Sequence, residues 1–399
     1  MSARLDQLLD DAVGRRDMPF AVAAVASQRE TLWQGNAGEA APGVKAGPDT
    51  LFRIMSMTKA VGATAALILI DRGRLELETP VASVLPEFAA IRVLESIGAE
   101  GPVLRPPRTT CTVRHLLTHR SGFAYETYDA KQAAYQRLPG SPNILDGTVQ
   151  CLNYPLMFDP GEGFVYGIGI DWIGRLVERI DGRRIDQFCQ EEIFRPLGLS
   201  STLFELDGEQ CRLASVNVRA EDGGFTEIEY NPPTRPEVYG MGFALYSTAS
   251  DYIRFLQMVL NNGELDGNRV LSPAAVDLMK TNQSGNATVP VFRSVLPGLS
   301  ADVELFPAGT EMTWTAAFLR NETDIPDRRA GGSLTWAGFL NTHYWIDPAN
   351  NIAAVLMTQT LPFCDPGYMR AYEAYERLVY QLFGSSAHAP GSTATAAAR

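Results

Sequence analysis

The run Ala60-Val-Gly-Ala-Thr-Ala-Ala-Leu-Ile-Leu-Ile70 constrains this chain more than any other stretch. It has no polar face, so a helix made from it cannot lie on a surface. At eleven residues it is too short to span a bilayer. It belongs inside a fold large enough to surround a helix. The residue that precedes it is Lys59, one of only four lysines in 399 residues. A lysine without a task on the first turn of a buried helix only costs stability. Its position calls for a chemical reason.

Ser56 stands three residues earlier, in Phe52-Arg-Ile-Met-Ser-Met-Thr-Lys59. A helix from about Ser56 to Arg72, closed by Gly73, puts the two side chains on one face, a turn apart. A serine hydroxyl needs a base within hydrogen-bond reach to act as a nucleophile. Lysine can be that base when burial or a nearby positive charge lowers its pKa, and a helix N-terminus supplies part of that field. Ser56 could equally be a plain N-cap, a commoner role for serine. No other Ser-x-x-Lys occurs in the chain, yet the spacing alone does not decide between cap and nucleophile.

With 45% hydrophobic and 20% charged residues, the composition is that of a soluble globular protein. The formal net charge of -12 argues against nucleic acid or an anionic membrane as partner. Five scattered cysteines (Cys111, Cys151, Cys189, Cys211, Cys364) form no CxxC pair and fit reduced thiols better than a disulfide framework. Cys111 and His115 are four apart, and His115 and His119 likewise, but no second ligand pair completes a metal site. No metal or cofactor is expected. The N-terminus is polar and amphipathic with no apolar core segment, so a cytoplasmic chain is expected. Oligomeric state is not legible.

Periodicity predicts a helix over 3–15, strands over Phe20–Ser27 and Glu30–Gly38, and the buried helix after Ser56. Residues 74–240 are rich in Pro, Gly and short helical patterns, with Val113–Thr118, Asp171–Asp181 and Ile185–Phe194 the clearest helices and no long alternating strand. Helices follow over Thr248–Asn261 and Ser272–Asn282, the latter opened by Ser272-Pro273. Strands are then predicted over Thr313–Leu319, Ser333–Leu340, Thr342–Asp347 and Ile352–Gln359, and a last helix over Met369–Leu382. This order predicts an α/β (α+β) fold. One antiparallel sheet is built from both chain ends and flanked by helices. Residues 1–75 and 241–383 form the α/β lobe, 76–240 a mainly helical lobe, and 384–399 a disordered tail. The cleft between lobes is the expected site.

Several segments now resemble a known family. Leu51–Lys59, Arg72-Gly-Arg-Leu-Glu-Leu-Glu-Thr-Pro-Val81, Val113-Arg-His-Leu-Leu-Thr-His-Arg-Ser-Gly-Phe123 and Asp159-Pro-Gly-Glu-Gly-Phe-Val-Tyr166 are similar, in order, to the serine β-lactamase-like proteins. These include class C β-lactamases, penicillin-binding DD-peptidases and family VIII carboxylesterases. The resemblance spans about residues 4–382 and implies the β-lactamase/transpeptidase-like fold. It also implies that Ser56, Lys59 and Tyr166 are catalytic, the tyrosine sharing the serine's proton with the lysine.

The departures from the family's pattern are equally informative. Its Tyr-x-Asn motif reads Tyr166-Gly167-Ile168, without the amide that contacts a β-lactam side chain. Lys280-Thr281-Asn282 mimics the third motif, Lys-Thr-Gly, but ends a helical run. The place in chain order is Trp336-Ala337-Gly338, followed by Phe339. Trp336 cannot pair with a substrate carboxylate, but it can line an acyl or alcohol pocket. The resemblance implies that the backbone N–H groups of Ser56 and Phe339 hold the oxyanion, and that Trp336, Gly338 and Ile168 belong to the substrate pocket. No Gly-x-Ser-x-Gly elbow is present.

The expected function is a serine carboxylesterase acting on small-molecule esters with short or medium acyl chains through an acyl-enzyme on Ser56. The alternatives are an acyltransferase using the same intermediate, since Trp336–Asp347 and Gln359–Phe363 also resemble the statin side-chain transferases; a β-lactamase or DD-peptidase; and a non-catalytic binding protein on the same scaffold. Retention of serine, lysine and tyrosine together argues against the last. Residues 123–150 and 286–312 are expected to shape the pocket.

Overall fold

The computed structural model describes residues 3–384. Its centre is an eight-stranded sheet in which every pairing is antiparallel. Three strands come from the start of the chain: β1 (Phe20–Ala26), β2 (Thr31–Ala41) and β3 (Val44–Lys45). Five come from its end: β4 (Met312–Trp314), β5 (Leu319–Asn321), β6 (Leu334–Gly338), β7 (Thr342–Asp347) and β8 (Ile352–Met357). Their spatial order is β4-β5-β6-β7-β8-β1-β2-β3. The two contributions meet where β1 pairs with β8, Val22 opposite Met357 and Ala26 opposite Ala353. The order of predicted elements implied one antiparallel sheet built from both chain ends, and the family resemblance implied the β-lactamase/transpeptidase-like fold that this architecture has.

The helices that frame the sheet are α1 (Ala3–Gly14), α2 (Thr58–Asp71), α3 (Val113–Leu117), α4 (Gly169–Asp181), α5 (Ala249–Leu260) and α6 (Pro366–Phe383). β1 shows why its sequence is apolar throughout: all seven residues are buried. Phe20, Val22, Ala24 and Ala26 face the larger core, which holds α2 and α5. Ala21, Ala23 and Val25 face a second core against α1 and α6. Both faces of the strand are covered, so the period of two carries no polar residues. α2 is buried from Thr58 to Leu69, as its uninterrupted apolar run demands. Asp365 caps α6 by accepting from the N–H groups of Gly367 and Tyr368, with Pro366 at the first helical position.

Two expectations about strands need correction. Thr313–Leu319 is not one strand but the corner of a hairpin between β4 and β5. The Thr315 hydroxyl accepts from the N–H groups of Ala317 and Phe318 at 3.1 and 2.9 Å and turns the chain there. Residues 76–240 also carry two hairpins, Val93–Gly98 with Gly101–Arg105 and Val216–Arg219 with Phe225–Ile228. Most of their residues are exposed or half-buried, so no alternation marked them in the sequence. The rest of that segment packs α3, α4 and short turns over the larger core. The predicted tail, Gly384 apart, lies outside the described residues. Among the described residues no helix is long and apolar enough to cross a membrane.

Candidate active site

A sharp turn delivers Ser56. Met55 adopts φ +46°, in the left-handed region that a methionine rarely occupies. Met55–Met57 then form a single 3-10 turn leading into α2. The N-caps of that turn and of α2 are Ile54 and Met57, and neither end is capped by a side chain. Ser56 therefore does not spend its hydroxyl on the helix. Its Oγ accepts from Lys59 Nζ at 3.1 Å, one turn on, as the spacing requires.

Lys59 is 2% exposed, and its ammonium has three acceptors. Besides Ser56, Nζ donates to Tyr125 Oη at 3.0 Å and to the Gly242 carbonyl at 2.9 Å. It also lies 5.0 Å from the Tyr125 ring centre and 4.8 Å from that of Tyr166. Burial disfavours its charged form and lowers its pKa to about 7, against the opposing pull of Asp171. Asp171, in the first turn of α4, is itself pushed up to about 6 by burial, with Lys59 and the Gly242 N–H restraining the rise. Its Oδ1 accepts from Gly242 N at 2.8 Å. The Gly242 peptide thus joins carboxylate to lysine, its N–H on one and its C=O on the other. A side chain at residue 242 would put Cβ 2.6 Å from Asp171 Oδ2, so the joint requires glycine.

Tyr166 is 5% exposed and hydrogen-bonded to Ser56. Trp336 Nε1 donates to its Oη at 2.8 Å. Because the indole fills an acceptor position on that oxygen, the phenol proton is left to point elsewhere. Burial drives the Tyr166 pKa well above the ordinary phenol, the bonds to Ser56 and Trp336 opposing. The group is a neutral donor at physiological pH. Its ring stacks on Phe292 (centres 5.6 Å apart, planes 12° apart) and packs on His119 at 4.7 Å.

β6 forms the opposite wall. A Cβ at Gly338 would lie 2.3 Å from the Ile54 carbonyl oxygen, so the strand end abuts the backbone two residues before Ser56. Ser56, Tyr125, Tyr166, Trp336 and Phe339 line one cavity of about 120 Å³, with Phe243 and Phe363 also in its wall. The arrangement offers a hydroxyl with a buried amine hydrogen-bonded to it and a phenol donor beside it.

Not every expected residue reaches that cavity. Ile168 is fully buried in the larger core, at the start of α4, and Gly338 contributes its backbone approach to Ile54 rather than cavity wall. Lys280 ends a helix, as read. His115 Nδ1 accepts from Thr112 N in a capping box, which occupies it locally. His343 is buried among Phe363, Tyr368 and Tyr372. Among the described residues no three His, Cys, Asp or Glu side chains are placed to hold a metal ion, and the five cysteines are free thiols.

Tyr125, Asp171 and Gly242 were missed. The one available signal was Asp171, an acid at the head of an apolar helical run; nothing in the sequence distinguished Tyr125 or Gly242. Of the two segments expected to shape the pocket, 123–150 supplies Tyr125, Glu126, Thr127, Tyr128, Ile144 and Leu145. From 286–312 Phe292 supports Tyr166 from behind.

The family model described as Beta-lactamase matches residues 5–376, and the chain belongs to that family. It is 32% identical over 322 residues to the lovastatin esterase of Penicillium rubens, covering 77% of this chain and 79% of that protein. It is 27% identical over 361 residues to the acyltransferase calJ of Penicillium decumbens, with coverage of 86% and 83%. The solved structure of the LovD9 mutant of simvastatin synthase from Aspergillus terreus is similar with a TM-score of 0.80. It is 26% identical and covers 96% of this chain and 98% of that one.

Proposed function

We propose that the protein is a serine carboxylesterase that works through an acyl-enzyme on Ser56. The observation that carries this reading is the buried Lys59, whose Nζ sits 3.1 Å from Ser56 Oγ with its pKa brought down to about 7. Near neutral pH a substantial share of Lys59 is free amine and can take the serine proton as Oγ attacks an ester carbonyl. The new oxyanion is held by the N–H groups of Ser56 and Phe339. Tyr166, neutral and aligned by Trp336, gives its proton to the departing alcohol and is reprotonated through Lys59. Water then enters by the same route in reverse and releases the acid.

Trp336 and the aromatic cavity favour uncharged acyl groups next to the serine over the carboxylate that a penicillin presents there. The relative named lovastatin esterase supports hydrolysis. The relative named acyltransferase supports a second reading, in which an alcohol replaces water in the second step. Hydrolysis of p-nitrophenyl butyrate by wild type and Ser56→Ala tests the first half of the scheme. The expectation is loss of all turnover above buffer, and equal rates would remove Ser56 from the mechanism. Adding a competing alcohol and measuring ester against acid product tests the second half: acid should dominate for an esterase, transferred ester for a transferase.

A further inference from the structure

Glu126 is a charge set in an otherwise uncharged, mostly aromatic wall. Among the described residues it is the one acidic or basic side chain that lines the cavity of Ser56. The backbone on both sides of it is tied down. Tyr125 N donates to the Tyr166 carbonyl at 3.0 Å, Tyr128 N to the Tyr125 carbonyl at 3.1 Å, and Val295 N to the Thr127 carbonyl at 2.9 Å. The half-buried side chain is left without a partner. Its Oε2 is shut off from solvent and accepts no hydrogen bond. Among the described residues no arginine, lysine or histidine nitrogen lies within 4.0 Å of the carboxylate. Other half-buried carboxylates are paired, Glu178 with Arg175 and Glu192 with Arg72 and Arg183. A carboxylate that leaves water without a partner is costly, so the vacancy at Glu126 calls for a reason.

The rings around it supply one. Tyr125, Tyr128, Trp336, Phe339 and Phe363 line the same cavity, and aromatic faces attract cations. The Lys59 ammonium shows the effect locally, 5.0 Å from the Tyr125 ring centre and 4.8 Å from that of Tyr166. Its own donors go to Ser56, Tyr125 and Gly242, so it does not neutralise Glu126. An unpaired carboxylate among aromatic faces matches an alkylated ammonium group, whose charge is met by the carboxylate and whose methyl groups are met by the rings. We propose that Glu126 is the cation-binding point of this cavity, so that the preferred substrate is an ester carrying an alkylated ammonium group. The net charge of -12 draws such cations toward the protein. The same carboxylate repels substrate carboxylates, which adds to what Trp336 does beside the serine.

This inference rests on the ester-cleaving reading of Ser56, and its test separates the two. Two pairs of esters of matched shape are compared over buffer rates with wild type. Acetylcholine against 3,3-dimethylbutyl acetate places the charge on the alcohol side. The p-nitrophenyl ester of γ-trimethylammoniobutyrate against that of 5,5-dimethylhexanoate places it on the acyl side. One pair should show roughly a tenfold or higher kcat/KM for the charged member, the scale of a cation–aromatic contact joined to an ion pair near a surface. Glu126→Gln should collapse that ratio and Glu126→Asp should keep part of it; Glu126→Ala takes the place of Glu126→Gln if the latter does not fold. In parallel, tetramethylammonium binding to Ser56→Ala is measured by ligand-observed NMR with and without Glu126→Gln, and should weaken roughly tenfold. Neutral esters cleaved as fast as charged ones in both pairs would overturn the proposal, even if no Glu126 variant folds. So would a preference, or tetramethylammonium binding, that survives removal of the carboxylate. Failure of every ester would sink the esterase reading, leaving the tetramethylammonium measurement to decide on Glu126.

Discussion

In the proposed mechanism Lys59 has to be a base at neutral pH while lying 2% exposed beside a carboxylate. Burial lowers its pKa and Asp171 raises it, so the two titrate as a pair. In the proposed mechanism the active form has neutral Lys59. kcat/KM should therefore rise with pH through a limb near 7 and, since the Tyr166 proton is held well above its ordinary range, show no falling limb below about pH 10, the ordinary phenol value. Asp171→Asn removes the charge that favours protonated Lys59, so the rising limb should move to lower pH; an unchanged or raised limb would show that Asp171 does not act on Lys59. Lys59→Ala and Tyr166→Phe should each lose roughly two or more orders of magnitude in kcat, measured with p-nitrophenyl butyrate; near wild-type kcat would exclude that residue. At this scale Ser56, Lys59, Tyr166 and Trp336 were legible because each falls in a short motif. Tyr125, Asp171 and Gly242 were not, because they meet Lys59 only after the chain has folded.

The elements matter through their close approaches. The end of β6 runs against the Ile54 backbone, where a Cβ at residue 338 would meet the carbonyl oxygen at 2.3 Å. Gly338→Ala must push the strand off the serine turn. Overpacking of this kind costs about 1–3 kcal/mol, and a shift near 1 Å in the groups that hold the reacting atoms can cost about a hundredfold in rate. The variant should melt earlier and lose kcat more than KM; unchanged kcat would mean that the Phe339 N–H has no part in the oxyanion site. The strands whose faces are both buried, such as β1 and β8, could be read from their apolar runs. The β4–β5 corner could not, since the Thr315 side chain makes a turn inside a β-branched stretch that reads as strand. The hairpins at 93–105 and 216–228 escaped for the opposite reason: largely solvated, they have no buried face to leave a pattern.

Across the whole molecule, the chain leaves the sheet at Lys45 and returns at Met312 to complete it, and the site forms where these parts converge. Ser56 and Lys59 come from the turn and helix after the first strands, Tyr125 and Tyr166 from the middle of the chain, and Trp336 and Phe339 from the last strands. The overall fold was legible because element order and apolar runs leave few ways to build one sheet from both ends. Which loop side chains line the cavity was legible only as segments, since loop side chains have no period to read. In the proposed mechanism this convergence makes Ser56 the acyl carrier. Acid-quenched intact-mass and peptide-mapping spectrometry after mixing with p-nitrophenyl butyrate tests it most directly. One butyryl group is expected on the peptide containing Ser56 in wild type and none in Ser56→Ala; steady turnover with no adduct on that serine, or with the adduct elsewhere, would rule Ser56 out as the acyl carrier.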